Sequence, residues 1–176
     1  SMPYERTGAP EAVSGWDVPA NNDCYVTAKD SVTVGKVSSR DLDSENICYI
    51  NTWGYEQQHG PRALAMYTRN DRHALYRCNF RAFQETRQTS TNQVSDRLYA
   101  KDCYVEGAVD YIYGGGDCLF ETCELYNLRS TGSVIVAPAH KEGTRYGYVF
   151  ESSTIDRLLD NTDALCPPRH NSPIPL

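Results

Sequence analysis

Hydrophobic and polar positions alternate with a period of two along much of this chain, in short runs that share one core pattern. Leu75-x-x-Cys78-x-Phe80, Ala100-x-x-Cys103-x-Val105, Phe120-x-x-Cys123-x-Leu125 and Phe150-x-x-Ser153-x-Ile155 each read apolar, two residues, small, one residue, apolar. Leu42-x-x-Glu45-x-Ile47 is a poorer copy. Alternation of this kind predicts strands with one face turned inward. The units start 25, 20 and 30 residues apart, counting from Leu75, Ala100, Phe120 and Phe150. A fixed core with uneven spacing predicts a parallel β-helix, whose coils repeat while the loops between strands vary. A β-sandwich of short strands is the rival that the same alternation allows. No window sustains a 3.6-residue period, although Ser153–Leu159 can close a short helical turn.

The ends differ from the middle. Residues 1–23, with Gly8, Pro10, Gly15, Pro19 and Asn21-Asn22, predict an irregular arm. Residues 165–176, with Pro167-Pro168, Pro173 and Pro175, predict a tail that cannot join a sheet. The β-helix is expected over residues 24–164, as one domain.

The repeat decides how the seven cysteines read. Cys78, Cys103 and Cys123 hold the same place in three units, which predicts an internal ladder of small buried side chains. Bridges from Cys24 to Cys48, or from Cys118 to Cys166, remain open. No Cys-x-x-Cys pair exists, so no zinc site is expected, and no cofactor is called for. His59, His73, His140 and His170 form no set with a Ser or Cys nucleophile. A net charge of −6 argues against nucleic acid and gives no overall attraction for a fully ionised polyuronate. No apolar run approaches the ~20 residues that span a membrane. Thirteen Tyr against four Phe suits β-structure and sugar-facing surfaces.

Candidate chemistry lies in two carboxylates. Phe83-Gln84-Glu85-Thr86 and Val109-Asp110-Tyr111-Ile112-Tyr113-Gly114 are one β-helix coil apart, which would set Glu85 and Asp110 side by side. Paired carboxylates serve hydrolysis because one can stay ionised while the other holds a proton. Gly114-Gly115-Gly116 leaves room beside Asp110. Trp53, Tyr55, Phe83, Tyr111, Tyr113 and Tyr146 are candidates for stacking on sugar rings.

These segments, with Gly60-Pro61-Arg62-Ala63-Leu64-Ala65-Met66, Ala74–Phe80, Leu98–Gly107 and Val134–Ile155, resemble the pectin methylesterase family over about residues 31–155. The resemblance implies an all-β, right-handed parallel β-helix that removes methyl esters from C6 of galacturonosyl residues in pectin, a secreted or periplasmic activity of a monomer without cofactor. It implies that Asp110 is the nucleophile, in a block the family writes Val-Asp-Phe-Ile-Phe-Gly. Glu85 takes the acid/base place where the family has Asp. Gln84 matches an oxyanion-holding Gln, and Arg62 falls where the family has another. For Phe83 and Tyr113 it implies a place in the cleft.

The chain departs from the family pattern at three points. Glu85 reaches one methylene further than Asp, and Arg62 adds a fixed charge that can pair with Asp110. The family's Leu-Gly-Arg-Pro-Trp motif, whose Arg orients the nucleophile, has no counterpart after Ile155. Coils before a Ser31–Val34 strand are also missing, so the chain reads as the middle of such an enzyme. Beside an active esterase stand a catalytically silent polygalacturonate-binding β-helix and, more remotely, a glycosidase or lyase using the same acids.

Overall fold

The described residues wind through five coils of three short strands each, and like strands stack into three parallel sheets. The structure is a computed structural model that describes residues 25–28, 33–55, 62–90, 94–129 and 131–157. After β1 (Tyr25–Ala28), the coils are β2–β4 (Gly35–Val37, Leu42–Glu45, Cys48–Asn51), β5–β7 (Met66–Thr68, His73–Tyr76, Asn79–Arg81) and β8–β10 (Arg87–Gln88, Arg97–Lys101, Tyr104–Gly107). Two more follow, β11–β13 (Ile112–Gly114, Asp117–Glu121, Glu124–Asn127) and β14–β16 (Val136–Pro138, Tyr148–Glu151, Thr154–Arg157). Sheet A runs β1-β4-β7-β10-β13-β16, sheet B β14-β11-β8-β5-β2, and sheet C β15-β12-β9-β6-β3. This is a parallel β-helix, and the sandwich alternative falls.

The repeated motif is the corner from sheet C into sheet A. Leu75, Ala100, Phe120 and Phe150 stack in register on sheet C, while Phe80, Val105, Leu125 and Ile155 stack on sheet A. Each corner has two residues, and the first is left-handed: Asn46, Arg77, Asp102, Thr122 and Ser152 have φ between 49° and 57°. From Cys78 onward the second is a small donor that turns inward and bonds to the coil behind. Cys78 Sγ donates to Ser44 O at 3.3 Å, Cys103 to Leu75 O at 3.5 Å, Cys123 to Ala100 O at 3.5 Å, and Ser153 Oγ to Phe120 O at 3.1 Å. The motif's small residue is therefore a weak donor as well as a space-filler. Cys78, Cys103, Cys118 and Cys123 are buried thiols.

Three expectations need correction. The first unit is Ser44-x-x-Ile47-x-Tyr49, two residues later than the Leu42 pattern, because Ser44 pairs with Leu75 and Tyr49 with Phe80. Thr154–Arg157 is strand β16 rather than a helical turn, since it finds a ladder partner in β13. Of the strand expected at Ser31–Val34, the described Thr33 and Val34 lie outside any strand, and β2 runs at Gly35–Val37, where β5 supplies its partner. The arm at 1–23, the tail at 165–176, Cys24, Cys166, His59 and His170 lie outside the described residues.

The core fills the tube with the Tyr49–Phe80 stack, ring centroids 5.5 Å apart, and the Phe120–Phe150 stack at 5.0 Å. Met66 and Ile112 line sheet B, with one exception between them: Arg87, fully buried in the same inward column.

Candidate functional site

The connections from sheet A to sheet B shape the site. Successive ones span residues 52–65, 82–86, 108–111 and 128–135, so two short connections lie between two long ones. The short pair makes a floor, and the described residues of the long pair flank it as two walls, 52–55 and 62–65 on one side and 128–129 and 131–135 on the other. Glu85 and Asp110 are the floor's carboxylates. Gln84 bridges to Val109 and Glu85 N–H donates to Val109 O at 3.0 Å, which places the two acids in equivalent positions of adjacent coils, strands about 4.8 Å apart. Both are left-handed, Glu85 with φ 57° and Asp110 with φ 50°. A non-glycine residue in that region costs about 1–2 kcal/mol, so its surroundings must impose it. Here Thr86 Oγ1 donates to Ala82 O at 3.0 Å and Glu106 O at 2.7 Å, while Ala108 N–H donates to Phe83 O at 2.7 Å.

Glu85 is 5% exposed, whereas Asp110 and Gln84 are half-buried. Arg62 Nε meets Glu85 Oε1 at 2.5 Å, and Oε2 is buried with no hydrogen-bond partner among the described residues. Burial pushes the Glu85 carboxyl above its ordinary value; Arg62 and the Tyr113 hydroxyl beside it oppose the rise, and Asp110 adds to it. That hydroxyl donates to Gln88 Oε1 at 3.1 Å. The arrangement offers one carboxyl inclined to hold a proton and a second within reach of solvent. Chemically it can deliver a nucleophile and a proton to one small electrophilic group.

The expected Arg62–Asp110 pair is not formed. The Arg62 guanidinium pairs with Glu85, whose longer side chain reaches the connection on the coil before it. Two aromatic expectations also fail. Phe83 is 1% exposed and Tyr111 is fully buried, so neither presents a face to a ligand. After the left-handed Asp110, Tyr111 turns into the core, while Phe83 is covered by Tyr55 and Arg129. Tyr113 is half-buried on the outer face of sheet B and Trp53 is 38% exposed on the first wall.

Sequence reasoning missed a row along the outer face of sheet B. Lys36, Tyr67, Gln88 and Tyr113 pair in register on successive strands. Lys36 Nζ and the Arg69 guanidinium lie 5.8 and 5.4 Å from the Tyr67 ring centre. None of the four shares a motif; only strand register aligns them. Among the described residues, no three His, Cys, Asp or Glu side chains cluster as metal ligands. No helix among the described residues is long and apolar enough to cross a membrane.

The family model for pectinesterases matches residues 12–164. Pectinesterase 31 of Arabidopsis thaliana is 32% identical over 114 residues, covering 65% of this chain and 33% of the relative. The pectinesterase of Sitophilus oryzae is 32% identical over 98 residues, covering 53% and 26%. Among solved structures, rice weevil pectin methyl esterase superposes with a TM-score of 0.62 at 28% identity, covering 71% of this chain and 35% of that one. PemA, a pectin methylesterase from Erwinia chrysanthemi, has a TM-score of 0.62 at 21% identity, a likeness of fold. The chain thus spans a third or less of the length of the two curated relatives named. A parallel β-helix carrying paired carboxylates, matched along 153 of its 176 residues, belongs to the pectinesterase family.

Proposed function

We propose that this chain carries the catalytic centre of a carbohydrate esterase that removes methyl esters from C6 of galacturonosyl residues in pectin. The observation that carries the reading is the stacked pair Glu85 and Asp110, one buried and pushed towards its protonated form, the other partly exposed beside it.

In this reading ionised Asp110 attacks the ester carbonyl, and a tetrahedral oxyanion forms. It collapses to an acyl-enzyme anhydride as methoxide leaves. The Gln84 amide donates to the oxyanion, a contact worth about 3 kcal/mol in comparable sites. Protonated Glu85 gives its proton to the departing methoxide, then takes one from the water that opens the anhydride. Tyr113 and Trp53 offer the aromatic faces that a galacturonan can stack on, and Arg62 lies at the same cleft. The polymer is extracellular, so the work belongs outside the cell or in the periplasm. A monomer suffices, with pectin as the sole partner.

One observation favours the silent polygalacturonate-binding alternative. Arg62 holds Glu85 at 2.5 Å, and an ion pair opposes the protonation that departure of methoxide requires.

Proton NMR of highly methylated pectin incubated with the chain separates the readings. A rising methanol signal with unchanged polymer length supports the esterase. Shortening of the polymer points to a glycosidase or lyase. Spectra without change, together with retained polygalacturonate, point to the silent binder.

A further inference from the structure

A buried ionic cluster on the outer face of sheet A is used by none of the chemistry above. Glu106, with no exposed surface, accepts from Tyr55 Oη at 2.5 Å, Tyr104 Oη at 2.6 Å and the Arg81 guanidinium at 2.8 Å. Arg81 and Glu106 are register partners on adjacent strands, and both side chains are nearly inaccessible. Four polar groups withdrawn from water in this way are costly unless each is satisfied, so the cluster holds its members tightly in place.

Its position gives that rigidity a use. Tyr55 belongs to the first wall, and its ring packs edge-on against Phe83 with centroids 6.2 Å apart. From the opposite wall the Arg129 guanidinium covers the same ring at 4.9 Å. Phe83 therefore pins both walls to the floor, one residue before Gln84 and two before Glu85. On the other side of Glu85, Thr86 Oγ1 is anchored to the carbonyl oxygen of Glu106 at 2.7 Å. The left-handed Glu85 is thus bracketed by two attachments to one cluster.

We infer that Tyr55 and Glu106 are positioning residues, which brace the Phe83–Thr86 segment and hold Glu85 buried and aimed at the groove beside Asp110. The inference rests on the esterase reading for its consequence in turnover, but not for its geometry. Tyr55 connects the wall carrying Trp53 to the acid/base, so the bond from its hydroxyl to Glu106 sets how dry Glu85 stays. Around the Glu85 carboxyl stand Arg62 from the first wall, Tyr113 from sheet B and Asp110 from the next coil. None of these changes when the Tyr55 hydroxyl is removed.

The test is Tyr55→Phe, which deletes one oxygen and keeps the ring on Phe83, compared with Glu106→Gln. The Glu85 carboxyl is followed by 13C NMR titration of Glu-labelled protein, assigned with Glu85→Gln, and methanol release is measured as kcat and KM across pH. In Tyr55→Phe water reaches Glu85, so its titration midpoint falls and kcat drops roughly tenfold with KM within a factor of about two. The alkaline limb of the kcat profile moves to lower pH. A merely structural contact would lower the folded fraction and leave both midpoint and limb in place. An unshifted Glu85 titration in folded Tyr55→Phe overturns the inference, whatever the rates. If the unmodified chain releases no methanol but its Glu85 midpoint shifts in Tyr55→Phe, the brace stands and the esterase reading falls.

Discussion

Arg87 should be replaceable by methionine with a gain in stability. It is fully buried in the inward column between Met66 and Ile112, where an apolar side chain belongs. Its partners are neutral: Thr68 Oγ1 at 3.0 Å, the adjacent Gln88 carbonyl, and the Phe80 ring, whose centre is 5.5 Å away. Its Nε has no hydrogen-bond partner among the described residues. Burial drives the guanidinium well below its ordinary value, to about 10, which corresponds to roughly 3 kcal/mol of lost preference for the charged form. Against this, Arg87→Met forfeits two hydrogen bonds to neutral groups at about 1 kcal/mol each. Thr68 Oγ1 keeps a bond of its own to Thr89 O at 2.9 Å, so nothing is orphaned by the change. Methionine then adds dispersion contacts with Met66 and Ile112. The net expectation is a gain of about 1–2 kcal/mol. With a urea slope of about 2 kcal/mol per molar, the unfolding midpoint should rise by roughly 0.5–1 M. A midpoint lowered by that amount at unchanged slope would refute the reasoning. It would mean that the guanidinium's bonds outweigh its desolvation.

Three further outcomes follow from the same geometry. Gly107→Ala should cost more than about 3 kcal/mol in urea melts and abolish turnover, because the new methyl would collide with Tyr111 Cβ and lie 2.8 Å from Thr86 Oγ1, just before Asp110. Arg62→Gln removes a partner that lowers the Glu85 pKa, so Glu85 stays protonated to higher pH and the alkaline limb of methanol release should move up; an unmoved or lowered limb contradicts the pair. Asp71 is held at about 2 by the hydrogen bond from Arg97, against 3.8 unfolded. Its contribution is therefore present above pH 3.8 and lost as pH falls towards 2. Arg97 is 61% exposed, so solvent screening reduces the effect to about 1 kcal/mol, and Asp71→Asn should flatten acid unfolding by that much.

The fold was legible in the chain because one corner repeats. Leu75-x-x-Cys78-x-Phe80 and its copies record an inward residue, a left-handed turn, an inward donor and another inward residue. The four copies from Leu75 onward share those features. The first coil escaped because Ser44 and Tyr49 stand where later coils carry apolar residues, joined to each other at 3.1 Å instead. The carboxylate pair was legible from spacing alone. Facing directions were not: the left-handed Asp110 sends Tyr111 inward, and no local pattern announces that. Arg81 and Glu106 are 25 residues apart and become partners only through strand register, as do Lys36, Tyr67, Gln88 and Tyr113. The wall loops were hidden for the same reason, since a connection is long or short only relative to strands already placed.

The central claim is that Asp110 and Glu85 divide nucleophilic and acid/base work. Initial rates of methanol release from highly methylated pectin, measured for the unmodified chain, Asp110→Asn and Glu85→Gln, test it most directly. The account predicts release by the unmodified chain and a fall of at least about 100-fold in each variant, with unfolding midpoints retained. Release that survives either substitution at near its original rate would contradict it.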